Sequence, residues 1–171
     1  MLFILLFGIV SMFSDMTKES AESIRGAFLS LMGASAATIG LVSGLGELAG
    51  YSLRIVSGRL ADRTRRYWPI VIAGYCLELI TIPALALVGE NGWVAACILL
   101  VVQKAGKAIK KPAKDTVVSF AASQEGAGKA FGLQELLDQF GAVLGPLLLY
   151  VIMLFKTEGS TFERYSFCFL A

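Results

Sequence analysis

Long apolar stretches separated by short polar breaks set the pattern of this chain. From Leu2 the residues run apolar to Phe13, turn charged between Asp15 and Arg25, and become apolar again from Phe28 to Leu31. One long helix over about 2–32, interrupted by charge, accounts for that run. Further helices are predicted over about 36–57, 68–88, 93–121 and 130–155, with the start of a sixth over 162–171. Residues 58–66 read as a charged loop, and Glu90-Asn91-Gly92 and 123–128 as polar turns. Residues 156–160 read as another loop. At 1.5 Å per residue, the last ten residues reach only about 15 Å, half a bilayer.

Composition turns these helices into membrane spans. Apolar residues make up 56% and charged residues 16%, with a mean hydropathy of +0.71, well beyond a soluble domain. A span needs about 20 mostly apolar residues, so 171 residues can hold five or six. The expected fold class is therefore an all-α membrane protein with five full transmembrane helices and the beginning of a sixth. Met1 to Phe13 has no basic residue before it and no small-residue cleavage site, so it reads as a retained span and not a signal peptide.

Catalysis finds little support. The chain has no histidine, which removes His-based acid/base chemistry and His metal sites. No nucleophile–base pair, metal cluster or phosphate loop is evident, so neither catalytic residue, metal nor cofactor is expected, and nucleic acid is not an expected partner. Cys76, Cys97 and Cys168 are widely separated in apolar segments and suit buried thiols better than a disulfide framework.

The placement of basic residues predicts orientation. Of fifteen Lys and Arg, five lie between Arg54 and Arg66 and six between Lys104 and Lys129. The first and third connections have none. The positive-inside rule then puts the basic connections and the amino terminus on the cytoplasmic side of the plasma (inner) membrane.

Charges within spans are costly and usually face a cavity or one another. At about 100° per residue, Asp15, Lys18, Glu22 and Arg25 share one face of helix 1, with Glu19 at its edge. Lys104, Lys107, Lys111 and Lys114 repeat that spacing on helix 4. Glu47, Tyr51 and Arg54 share a face of helix 2. Asp15, Lys18, Glu19, Glu22, Arg25, Glu47, Arg54, Lys104 and Lys107 are thus the candidate substrate and proton residues. Two alternatives stay open. Helix 1 could end near Ser14, leaving Asp15 to Arg25 as a solvated surface segment, although a thirteen-residue span is too short. Helix 4 could simply extend its Lys107–Lys114 end into the cytoplasm, with Pro112 bending it. Glu78 stands alone in helix 3, and a protonated or locally paired carboxyl is the modest reading. Counting depth from the turn between helices 4 and 5 pairs Lys114 with Glu135 and Lys111 with Asp138.

Three motifs carry a resemblance. Gly58-Arg59-Leu60-Ala61-Asp62-Arg63-Thr64-Arg65-Arg66 resembles the loop between helices 2 and 3 of the major facilitator superfamily, G-x-L-[AS]-D-[RK]-x-G-[RK]-[RK]. The pattern's second glycine falls on Arg65, and Tyr67 stands where a basic residue is usual. In helix 5, Gly132, Gly141 and Gly145-Pro146 are similar to the G-x8-G-x3-G-P-x2-G-G signature of proton-coupled drug exporters, with Leu149 and Tyr150 in place of the closing glycines. Gly106-Lys107-Ala108-Ile109-Lys110-Lys111-Pro112-Ala113-Lys114-Asp115, followed by Gly128-Lys129-Ala130-Phe131-Gly132, resembles a bacterial and archaeal branch of mostly unassigned substrate.

The resemblance implies the amino-terminal half-bundle of a transporter, a half that rocks against its partner around a midplane site. Helices 1, 2, 4 and 5 would line the cavity. Gly58, Asp62, Arg63 and Arg66 would form the cytoplasmic gate. The expected function is secondary active transport of a small solute by alternating access, coupled to protons. The expected partners are that solute, protons, the lipid bilayer and a missing carboxy-terminal half-bundle. A fragment, a split gene product and a truncated product are all consistent with a chain that stops inside helix 6. A membrane scaffold or binding protein without transport is the alternative, though stripes of buried charge serve a scaffold no purpose.

Overall fold

The computed structural model describes residues 2–123, 126–155 and 159–170, and every regular element among them is an α-helix. The order is α1 (Leu2–Leu31), α2 (Ala36–Thr64), α3 (Tyr67–Ala86), α4 (Trp93–Ala122), α5 (Ala127–Phe155) and α6 (Thr161–Cys168). α1 is continuous through its charged middle, so Asp15 to Arg25 is not a separate surface segment. α2 starts where the Ser35 hydroxyl accepts the Thr38 N–H at 3.1 Å. α6 opens on a capping box between Ser160 and Glu163.

The charged motif is not a loop. α2 runs through Gly58, Asp62 and Arg63 to Thr64, seven residues beyond the expected end at Ser57. Leu60 and Ala61 keep the chain apolar there, and Ala61 is buried against Val71 and Ala113. The break comes at Arg65, whose φ of 52° is left-handed and whose N–H closes on the Ala61 carbonyl. An L-residue is strained in that conformation by about 1–2 kcal/mol, which is the physical reason for a glycine at this place in the resembling pattern. The other boundaries shift less. α3 ends two residues early, and α5 begins at Ala127, which brings Gly128 and Lys129 into the helix. Parts of the two remaining expected loops, 124–125 and 156–158, lie outside the described residues, as does 171 at the end of the sixth helix.

By length and composition, α2, α3 and α5 are apolar enough to cross a membrane, three helices where five full spans were expected. α1 and α4 are each 30 residues long, but charge is spread along them. Cys97 is buried, whereas Cys76 is exposed and Cys168 half-buried, so only one of three thiols fits the expected burial.

Two helix pairs form the body. α1 and α5 run the same way, with Met12 against Gly141 and Met16 against Gly145. A Cβ at either glycine would collide with those methionine carbonyls. Gly132 has open space around it and takes no part in this contact. α3 and α4 run oppositely, and their backbones meet at Gly74 and Gly106. α2 lies along α4, burying little beyond Gly46, Ser57 and Ala61. Apolar residues close both ends of the bundle. Phe28, Leu29, Leu85, Leu100 and Phe169 pack at one end. Phe7, Val71 and Val118, together with a smaller cluster of Ile4, Ala122 and Ala130, pack at the other. Polar and charged groups occupy the middle.

Candidate functional site: a charged cavity in the bundle

Lys110 and Lys114, one turn apart on α4, anchor the polar middle. Both are almost fully buried. Lys114 donates to Asp138 of α5 at 2.7 Å and to the Ser11 hydroxyl of α1. Gln134 holds the other Asp138 oxygen at 2.9 Å. Lys110 pairs with the fully buried Glu78, donates to Ser14 at 3.2 Å, and places its ammonium 4.1 Å from the centre of the Tyr75 ring. Each buried ion carries a desolvation cost of several kcal/mol, so hydroxyl, amide and ring contacts around each pair are what make it tolerable.

The helix geometry explains why these partners meet. Helical side chains lean toward their own N-terminus. In the antiparallel α3–α4 pair, Lys110 lies opposite Gly74 and Glu78 opposite Gly106. Each side chain therefore leans toward the other, and the two glycines let the backbones come close at this level. The same lean corrects the expected α4–α5 pairs. Lys114 leans away from the α4–α5 turn and Asp138 leans toward it, so Lys114 meets Asp138 and not Glu135. Glu135 instead accepts from Gln139 of its own helix. Lys111, half-buried at the edge of the adjacent cavity, pairs with Asp115 at 3.4 Å and not with Asp138.

Beside this network lies a cavity of about 330 Å3. Asp15, Lys18 and Glu19 of α1, Arg54 of α2, Lys107, Lys110, Lys111 and Lys114 of α4, and Glu135, Asp138 and Gln139 of α5 line it. Lys18 pairs with Glu19 and lies 3.9 Å from Asp15. Its ammonium also neighbours that of Lys107. Among the described residues, Lys107 and Arg54 have no carboxylate in ion-pair range. Arg54 stacks over Tyr51 at 5.3 Å, and its buried Nε has no acceptor.

Four expected substrate or proton residues stand outside the cavity. Glu22 and Arg25 pair with each other at 3.1 Å on α1. Glu47 takes Lys104 at 2.6 Å on the flank between α2 and α4, where the lysine also donates to the Ser43 carbonyl. In the charged motif, Gly58 packs on Pro112, while Asp62, Arg63 and Arg66 are exposed, and Asp62 has no ion pair among the described residues.

Lys110, Ser11 and Ser14 were not among the expected site residues. A stripe drawn through Lys104, Lys107, Lys111 and Lys114 passes over Lys110. The available signal was Glu78, a lone carboxylate in an apolar helix that required a partner. Ser11 and Ser14, a polar i, i+3 pair in the apolar part of α1, were a second one.

Sequence comparisons bear on what such a bundle is. Residues 1–168 match the family model described as Major Facilitator Superfamily. An uncharacterized protein of Mycobacterium tuberculosis is 48% identical over 145 residues, covering 85% of this chain and 35% of that protein, and one from Mycobacterium bovis matches to the same extent. An uncharacterized MFS-type transporter of Methanocaldococcus jannaschii is 29% identical over 150 residues, covering 88% of this chain and 37% of that protein. The chain thus spans about a third of the length of these relatives. No solved structure matches. With the family match running almost from end to end of an all-helical, membrane-directed chain, the chain belongs to the Major Facilitator Superfamily.

Proposed function

We propose that this chain is the amino-terminal part of a secondary active transporter that moves a small anionic solute across the plasma membrane by alternating access, coupled to protons. The observation that carries this reading is the cavity. Its lining holds six cationic side chains and four carboxylates, and among the described residues the cations Lys107 and Arg54 have no ion-pair partner. Such a site gains most from a ligand that brings negative charge, because a half-buried cation without a partner has lost part of its hydration with nothing in return.

In this reading α1 and α4 also span the bilayer, since their charges turn inward to the cavity and to one another, and the amino terminus is cytoplasmic. Asp15 and Glu19 are the proton carriers best placed to act on the cavity. Protonating either removes a negative charge beside Lys18, raises the positive charge facing the solute, and shifts the balance between inward- and outward-facing states. Glu22 and Glu47 remain candidates at a distance. Asp62, Arg63 and Arg66 are the gate, meeting a partner half-bundle when that side closes.

The test is reconstitution with the second half-bundle into liposomes loaded with a pH-sensitive dye. Addition of small carboxylates or phosphate should change the lumenal pH, cationic and neutral solutes should not, and Lys107→Gln should abolish the response. A response to cations instead, or none to any anion, would overturn the reading.

A further inference from the structure

At the end of the bundle where α2 turns into α3, a second cavity of about 510 Å3 opens between the start of α1, that turn, and the end of α4. Arg65 and Arg66 form its polar rim, and Phe3, Tyr67, Trp68 and Phe120 form its walls. No carboxylate lines it, and neither arginine has an ion pair among the described residues. Tyr67 meets Phe120 edge-on, and Phe3 meets Trp68 in the same way, so the walls hold one another in place.

The cavity continues along the outside of α1 and α3. A groove of about 310 Å3, almost wholly apolar, shares Phe3 and Trp68 with it and runs on past Phe7 and Ile72 to Tyr75. From Trp68 to Tyr75 it follows α3 for about 10 Å. The two spaces together have a cationic head, an aromatic collar and a hydrocarbon-lined tail.

We propose that this composite groove binds an acidic phospholipid, with the headgroup phosphate on Arg65 and Arg66 and one acyl chain along the α1–α3 groove. The chemistry matches at each level. Guanidinium groups fork onto phosphate oxygens. Trp and Tyr favour the boundary between headgroups and hydrocarbon. Basic pockets between helices at a membrane face select acidic headgroups. The tail distinguishes a lipid from a free phosphate, which has no use for an apolar groove. This site is separate from the charged cavity in the bundle middle, and of its two arginines only Arg66 is shared with the proposed gate.

Trp68 is a built-in reporter, since the chain has two tryptophans and Trp93→Phe leaves it alone. The protein is placed in phosphatidylcholine nanodiscs containing a small fraction of phosphatidylglycerol with brominated acyl chains, and quenching of Trp68 is read. Brominated phosphatidylglycerol should quench more strongly than equally brominated phosphatidylcholine. Arg65→Gln with Arg66→Gln should weaken that preference on the order of tenfold, from two lost cation–headgroup contacts. Arg59→Gln with Arg63→Gln, on the same helix end but outside the cavity, should leave it in place. Excess inorganic phosphate should not remove it. Equal quenching by the two lipids would overturn the proposal. So would equal loss in both double variants, which would mean a general basic surface, or displacement by phosphate, which would mean a free-anion site.

Discussion

The Ser57 hydroxyl of α2 is shared between the carbonyl of Ala108 in α4, at 3.1 Å, and that of Arg54 in its own helix, at 3.2 Å, and the Ala108 carbonyl is the one Pro112 leaves without a partner. In an uninterrupted helix the N–H of residue 112 would take it, but proline has none. The hydrogen bond missing within α4 is therefore made between helices, and it is one of few points where α2 is held.

Ser57→Ala should cost about 1–2 kcal/mol by leaving a buried carbonyl unsatisfied. Introducing Pro112→Ala supplies the missing N–H, and in that background Ser57→Ala should cost little. Thermal unfolding of the four proteins in detergent measures the cycle. Equal cost of Ser57→Ala in both backgrounds would show that the serine acts only by packing.

Lys110 and Glu78 should behave as one unit. Lys110→Met alone strands a buried carboxylate and should cost about 3–5 kcal/mol, whereas Lys110→Met with Glu78→Leu should recover most of that stability. The same unfolding measurement checks it. A double variant as unstable as the single one would mean that the pair is needed for more than charge balance.

The neighbouring lysines should separate sharply. Asp138→Lys should lower stability by several kcal/mol by facing Lys114 with a like charge. Lys114→Asp in that background should restore much of the loss. Lys111→Glu, whose pair with Asp115 is partly exposed, should change stability by less than about 1 kcal/mol. Comparable damage from Lys111→Glu would put that lysine back in the interior.

The glycines of α5 should also divide. Gly141→Ala and Gly145→Ala drive a methyl into the carbonyls of Met12 and Met16 and should each cost about 1–3 kcal/mol as α1 and α5 are forced apart. Gly132→Ala meets nothing and should be neutral or stabilising by about 0.5–1 kcal/mol, since alanine is the better helix former. Unfolding midpoints of the three variants decide the matter.

Element positions were largely legible because apolar runs and polar turns alternate so clearly, and α1 and α4 begin and end within a residue or two of expectation. The end of α2 was not, because charge in Gly58 to Thr64 suggested a loop while nothing there stops a helix. The only strong break, a left-handed Arg65, is invisible in a residue type that rarely adopts it. Within the site, periodicity found the charged faces, but depth counting chose wrong partners. Counting along an axis ignores that side chains lean, and in antiparallel helices the lean displaces partners by about a turn. Lys110 was passed over for a related reason. Its position follows from where the α3 and α4 backbones approach, and that depends on two glycines far apart in sequence.

Those glycines have a consequence for how this pair of helices can vary. Gly74 and Glu78 are four residues apart, as are Gly106 and Lys110, and each helix supplies the close backbone approach across which the two charges pair. The number of residues between glycine and charge is fixed even where their identity can vary. One added residue turns the charge by about 100° and carries it away from its partner. A reciprocal G-x3-E and G-x3-K on adjacent antiparallel helices is therefore a searchable signature, and a chain that loses one half of it should lose the other.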